Sequence, residues 1–194
     1  KYCLIKMKLG FIGTGNISSD VITGICNSKI SFQKIIVSPR NRKKALKLKK
    51  KFKKVYIAKN NQEVIDKSDW VFLGVLPEVG EKILPQLNFK SNQIIVSFIS
   101  TINFAQLKKI VKKKAKIVRA IPMPPISLGV GPVPIYPPNK KVKNFFNKIG
   151  TTIEIKSEQL SQNFWAISGS MASFYELLKV LSDWLVKKRL KRNQ

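Results

Sequence analysis

The sequence has no histidine and only two cysteines among its 194 residues. The absence of histidine excludes an imidazole general base, a histidine-based catalytic triad and the usual transition-metal sites. Cys3 and Cys26 are too few for a disulfide framework or a zinc site. We therefore predict a cytoplasmic protein in a reducing compartment, with no bound metal.

Long apolar runs and acidic residues are scarce as well. No run approaches the roughly 20 residues that span a bilayer, and no signal-peptide pattern opens the chain, so no membrane association is predicted. Only 10 acidic residues stand against 37 lysines and arginines, a net charge of +27. Such a charge alone suggests a nucleic-acid partner. Nearly all of it is lysine spread along the chain, and interleaved aromatics and arginines are lacking, so we favour a solvated surface and keep nucleic-acid binding as a minor alternative.

Short apolar runs alternate with helix-length segments from Met7 to Arg119. Runs such as QKIIVS, DWVFLGV and QIIVSFI are typical of strands buried on both faces of a parallel sheet. The alternation predicts an α/β fold with a Rossmann-type, doubly wound, mostly parallel sheet. The proline-rich IPMPPISLGVGPVPIYPP that follows suits loops and edge strands.

The C-terminal part of the chain predicts a helical appendage. One long helical stretch over 158–188 carries apolar residues at helical spacing, which requires a partner surface and predicts self-association. We expect a Rossmann domain over 1–156 and a short helical segment over 157–194. Residues 1–6 are expected to be an extension, because Met7 is a more natural start.

The stretch GFIGTGNISSDV contains a glycine pattern typical of dinucleotide-binding turns. Gly13, Gly15 and Ser18 occupy the three positions of G-x-G-x-x-G, between a predicted strand and a predicted helix. The first glycine permits the tight turn and the second admits the pyrophosphate, which the helix N-terminus from Asn16 would face. The alternative is a simple glycine turn. We favour the cofactor because the β/α alternation continues after the motif.

The end of the second predicted strand indicates which dinucleotide binds. An NAD site usually carries an acidic residue there, whereas VSPRNRKK offers Ser38 and Arg40 and no acid. NADP is therefore favoured. The alternative is that the arginines only continue the basic surface.

Several segments together resemble the pyrroline-5-carboxylate reductases in order and spacing. They are MKLGFIGTGNISSDVITGI, IIVSPRNRKKALKL, NQEVIDKSDWVFLGVLPEV, IIVSFIS, IVRAIPMPP and ISGSMASFYELL. The resemblance implies an NADPH-binding Rossmann domain, a helical domain through which two subunits form a dimer, and hydride transfer to the C=N bond of a small cyclic imino acid. The implied cofactor contacts are Gly15, Asn16 and Ile17 at the pyrophosphate, Ser38 and Arg40 at the 2′-phosphate, Asn61 beside the adenosine, and Val75, Leu76 and Pro77 along the nicotinamide.

The sequence departs from this family at three places. Leu76 replaces a lysine, Met123 replaces an asparagine near the nicotinamide, and the family's chain continues well beyond the segment GSMASF. Ser168 and Ser170 are candidates for binding a substrate carboxylate, or they only allow close helix packing. Met123 and the prolines after it line a pocket or form a rigid loop. The expected function is a pyrroline-5-carboxylate reductase-like enzyme. The alternatives are a shortened NADP(H)-binding relative with a regulatory role and a reductase of another imine or carbonyl compound.

Overall fold

The computed structural model describes residues 7–112 and 115–188, without the side chains of residues 165–168 and 172. The chain divides into two compact units, Lys1–Glu158 and Gln159–Gln194. The described residues of the first unit form eight strands: β1 (Met7–Ile12), β2 (Phe32–Val37), β3 (Val55–Ile57), β4 (Trp70–Leu73), β5 (Ile94–Ser97), β6 (Lys116–Ala120), β7 (Pro132–Tyr136) and β8 (Thr151–Glu154).

The helices follow the strands in alternation through most of the first unit. They are α1 (Asn16–Asn27), α2 (Arg42–Lys51), α3 (Asn61–Asp66), α4 (Pro77–Ile83), α5 (Phe104–Val111) and α6 (Lys140–Phe146). Two 3-10 helices, Leu84–Gln86 and Pro124–Leu128, complete the unit. The remaining helices are α7 (Glu158–Gly169) and α8 (Met171–Lys187).

The strands form one sheet in the order β3-β2-β1-β4-β5-β6-β7-β8. Every pair is parallel except β6 and β7. The chain proceeds outward from β1 to β3 and then returns to β4 on the other side of β1. This reversal is the switch point of a doubly wound sheet, where such folds bind their ligands. The predicted Rossmann-type, mostly parallel sheet is confirmed.

Both faces of the sheet are buried, which explains why the strands read as continuous apolar runs. Trp70 and Phe72 belong to one core cluster, and their neighbours Val71 and Leu73 belong to the other. Residues from α1, α2 and α6 fill the first cluster, and residues from α3 and α5 fill the second. The ring of Phe72 stacks on that of Phe11 with centroids 4.5 Å apart, so β1 and β4 are tightly packed at the centre of the sheet.

The proline-rich segment contains an internal strand, which the sequence predicted only as loop or edge. β7 lies between β6 and β8, although it carries Pro132 and Pro134. The carbonyl of Pro134 accepts a hydrogen bond from the Ile121 amide, which follows β6. Because the N–H and C=O of one strand residue point to the same side, the N–H groups that the two prolines lack would have faced β6. Pairing with β6 is accordingly limited to two residue pairs, whereas four pairs join β7 to β8.

The long C-terminal helix expected over 158–188 is two helices in the structure. α7 ends at Gly169 and α8 begins at Met171, with Ser170 between them. Within α8 the large apolar side chains are about half exposed, including Phe174 at 51% and Trp184 at 55%. No helix in the described part of the chain is both long enough and apolar enough to cross a membrane.

Candidate cofactor site

The turn between β1 and α1 requires glycine at its first position. Gly13 has a φ of +96°, which side-chain-bearing residues rarely adopt. A Cβ placed on Gly13 would lie 2.4 Å from the Gly74 carbonyl oxygen, at the end of β4. Gly74 also leaves no room for a side chain, because a Cβ placed on it would lie 2.1 Å from the Ser18 Oγ. The turn and the end of β4 are therefore in direct backbone contact.

The N-terminus of α1 is open to a ligand. Gly15 precedes the helix without a side-chain cap, and a Cβ on Gly15 would come no nearer than 3.8 Å to a neighbouring atom. The first N–H groups of a helix lack partners within it and attract anions. The hydroxyls of Thr14 and Ser18 are buried without a hydrogen-bond partner. Uncapped amides, open space at Gly15 and unpaired hydroxyls together fit the phosphates of a dinucleotide.

Ser38 joins the end of β2 to the glycine turn. The side chain is buried, and its Oγ accepts a hydrogen bond of 3.1 Å from the Gly13 amide. The sequence assigned Ser38 to the cofactor. In the structure this oxygen holds the turn in position, a role that sequence spacing did not indicate.

Arg40 and Asn61, two predicted cofactor residues, line the same cleft. The cleft has a volume of about 340 Å³ and lies where β2, α3 and α4 meet. Its other lining residues are Glu78, Val79, Lys82 and Ile83. The sequence analysis did not predict these four residues as part of the site, although they follow the predicted segment Val75–Pro77 and could have been found from that position. A cleft of this kind, with a guanidinium at its wall, suits a nucleoside with an anionic substituent.

The segment after β4 brings Val75 to the glycine turn. A methyl group of Val75 lies 2.8 Å from where a Cβ on Gly13 would be. Leu76 is 73% exposed and occupies the N-cap position of α4, which Pro77 begins. Because the ring of proline fixes its φ angle near the helical value, the backbone is restricted at the start of this helix. Val75, Leu76 and Pro77 therefore form a fixed rim beside Gly13.

A second cleft, of about 570 Å³, lies along α1. It is bounded by α1, α2 and the 3-10 helix Pro124–Leu128. Lys44 from α2 donates a hydrogen bond through Nζ to Asn16 Oδ1 at the start of α1. Burial raises the pKa of Asp20 in this cleft, and the positive charge of Lys44 opposes that rise. Sequence reasoning missed Lys44 because it is one of many lysines in the helix.

The predicted substrate residues are not gathered around the turn by any described contact. Met123 immediately precedes the 3-10 helix, whose Ile126 carbonyl packs on Gly24 of α1 and whose Pro124 lines the second cleft. The side chain of Ser168 lies outside the described residues. Ser170 is exposed and belongs to the second unit. Among the described residues no group of three or more acidic or cysteine side chains could hold a metal ion.

Comparison with known proteins gives consistent results. Residues 8–101 match a family model described as NADP oxidoreductase, coenzyme F420-dependent. The chain is similar to pyrroline-5-carboxylate reductases, at 25% identity over 192 residues to that of Haemophilus influenzae and 28% over 180 residues to that of Staphylococcus saprophyticus. These matches cover 92% and 87% of this chain, and 69% and 65% of the relatives, so the chain spans about two thirds of their length. The crystal structure of Plasmodium falciparum pyrroline carboxylate reductase with NADP bound superposes with a TM-score of 0.80 at 25% identity, over 97% of this chain and 72% of that one.

Proposed function

We infer that this chain, which is related to the pyrroline-5-carboxylate reductase family, is an NADPH-dependent reductase that transfers hydride to the C=N bond of a small cyclic imino acid. The observation that carries the proposal is the open glycine turn at the switch point of the sheet, together with the cleft lined by Arg40. The relatives named above support the substrate class. The cofactor is NADP(H), in keeping with the family model and the absence of an acid after β2.

Each part of the dinucleotide has a proposed set of contacts in this chain. The pyrophosphate contacts Gly13, Gly15, Asn16 and Ile17, the 2′-phosphate contacts Ser38 and Arg40, the adenosine contacts Asn61, and the nicotinamide contacts Val75, Leu76 and Pro77. The uncapped amides of α1 bind the pyrophosphate, and the fork of the Arg40 guanidinium suits the three oxygens of a phosphate. The proposed substrate contacts are Met123, Ser168 and Ser170.

The chemistry places modest demands on the protein. Bound NADPH supplies the hydride, and the surrounding residues orient the reactants and exclude water. Because a protonated imine is already electrophilic, a chain without histidine can promote its reduction. Leu76, exposed at the rim where the family carries lysine, makes the substrate side of the pocket less basic.

The oligomeric state and compartment belong to the same proposal. We place a dimer interface on α8, because its apolar side chains are half exposed in the described chain. Residues 1–156 are the cofactor domain and residues 157–194 the beginning of a helical dimerisation and substrate domain. The working compartment is the cytoplasm.

The first test is calorimetric titration with NADPH and with NADH, followed by addition of pyrroline-5-carboxylate while nicotinamide absorbance is recorded. Tighter binding of NADPH together with turnover is the expected result. Binding without turnover would favour the second candidate, a cofactor-binding relative with a regulatory role or another imine or carbonyl substrate. The replacements at Leu76 and Met123 are the observations that favour this candidate. Absence of binding would refute both.

Arg40→Glu tests the 2′-phosphate contact separately. The substitution replaces a cation with an anion at the wall of the cleft, so NADPH affinity should fall about a hundredfold while NADH affinity changes little. Lys49→Glu, which makes the same change of charge at an exposed position in α2, serves as the control. Equal losses for the two dinucleotides would refute the assignment of Arg40.

A further inference from the structure

Lys44 reaches the glycine turn from a different helix. Its Nζ donates to Asn16 Oδ1, although the two residues are 28 positions apart in sequence. Asn16 is the first residue of α1, so the ammonium group lies beside the uncapped helix end. In the described part of the chain, no carboxylate lies within ion-pair distance of Lys44. Its charge acts on Asp20 in the same cleft without forming an ion pair, and is therefore available to an anionic ligand.

The first turn of α2 is unfavourably charged without such a ligand. Arg42, Lys43 and Lys44 occupy this turn, and no acidic residue does. Cations at a helix N-terminus oppose the helix dipole, whose positive end lies there. The Asn41 side chain caps the helix but carries no charge. An anion near Lys44 would offset both the clustered cations and the dipole.

We propose that the Lys44 ammonium contacts the pyrophosphate of the dinucleotide, next to Asn16, and so contributes to the affinity for NADPH and NADH alike. The inference rests on the proposed function, since it requires that the turn binds a dinucleotide. The pyrophosphate is preferred to the 2′-phosphate because Lys44 is hydrogen-bonded to Asn16, the first residue of the helix that follows the glycine turn. Arg40, the residue proposed for the 2′-phosphate, lines the separate cleft that contains Asn61.

Titration of Lys44→Gln with NADPH and NADH tests the proposal. Glutamine can still donate a hydrogen bond to Asn16 but has no charge. We expect both dissociation constants to rise about tenfold, the loss typical of one charge-assisted contact. Lys44→Arg should remain within about threefold of the unmodified chain. The matched control is Lys47→Gln, which removes a lysine lining the same cleft one turn further along α2 and should change neither constant.

The outcomes separate this inference from the proposed function. If the unmodified chain binds no dinucleotide, the proposed function fails and the inference fails with it. If it binds and Lys44→Gln binds equally well, only the inference is overturned. A loss confined to NADPH would move Lys44 to the 2′-phosphate and also overturn the inference. Thermal melting of each variant checks that the variant is folded. If Lys44→Gln did not fold, Lys44→Met would replace it, with the same parallel loss for both dinucleotides expected.

Discussion

The ion pair between Arg119 and Glu158 is predicted to stabilise the first unit. Arg119 lies in β6 with its side chain 1% exposed, and its guanidinium donates to Glu158 Oε1 at 3.2 Å and to the Ile102 carbonyl at 2.5 Å. The same Glu158 oxygen accepts from the Phe104 amide at 2.7 Å, at the start of α5. Glu158→Ala removes both contacts and leaves Arg119 as a buried cation without a carboxylate.

The magnitude follows from the burial of the two side chains. Removing one partner of a fully buried pair costs about 3–5 kcal/mol. The Glu158 side chain is 29% exposed, so water can partly replace it, and we expect a loss of about 2–3 kcal/mol in the free energy of unfolding. For a domain of this size, that loss corresponds to a decrease in Tm of roughly 5–10 °C.

The assay is thermal unfolding followed by circular dichroism, with Glu154→Ala as the matched control. Glu154 pairs with Lys143 at 2.5 Å, but the side chains are 31% and 41% exposed, so its loss should cost at most about 1 kcal/mol. Arg119→Met combined with Glu158→Ala should recover part of the stability, because the unpaired cation is then gone. Equal Tm values for the two single glutamate variants would refute the reasoning.

Further predictions concern packing and thiol chemistry. Gly24→Ala should lower Tm by roughly 5 °C or more, because the new Cβ would lie 2.3 Å from the Ile126 carbonyl oxygen, and an unchanged Tm would contradict this packing. Burial raises the pKa of Cys26 to about 11 from 9.0, so little thiolate forms near neutral pH. In a Cys3→Ser background, iodoacetamide should alkylate folded Cys26 about a hundredfold more slowly than the urea-unfolded chain at pH 8, and similar rates would contradict the burial.

The sequence predicted well those features that depend on local patterns. The sequence predicted β4 because Trp70–Leu73 is uniformly apolar, and it predicted α2 because Ala45 and Leu48 lie on one face of a helix. The break at Ser170 was not predictable, since that residue keeps helical dihedral angles and its neighbours suit a helix.

Long-range contacts, at the site and away from it, also escaped prediction from the sequence. Lys44 meets Asn16, and Glu158 meets Arg119, only after the sheet has formed. Residue type could not distinguish Lys44 from the other lysines of α2. Arg40 was predicted from the residues that end the second strand and Asn61 from the family resemblance, but neither argument indicated that the two residues line one cleft.

The contact between Ser18 and Gly74 restricts the order in which substitutions can accumulate. An alanine methyl at 74 would meet the Ser18 hydroxyl at 2.1 Å, but with that hydroxyl removed the nearest atoms are 3.4 Å and 3.5 Å away. Ser18→Ala should therefore leave the folding of this region intact and Gly74→Ala should disrupt it alone, while the double change should fold. In evolution, the serine–glycine pair could become the alanine–alanine pair only if Ser18 changed before Gly74. The two positions should therefore covary among related chains.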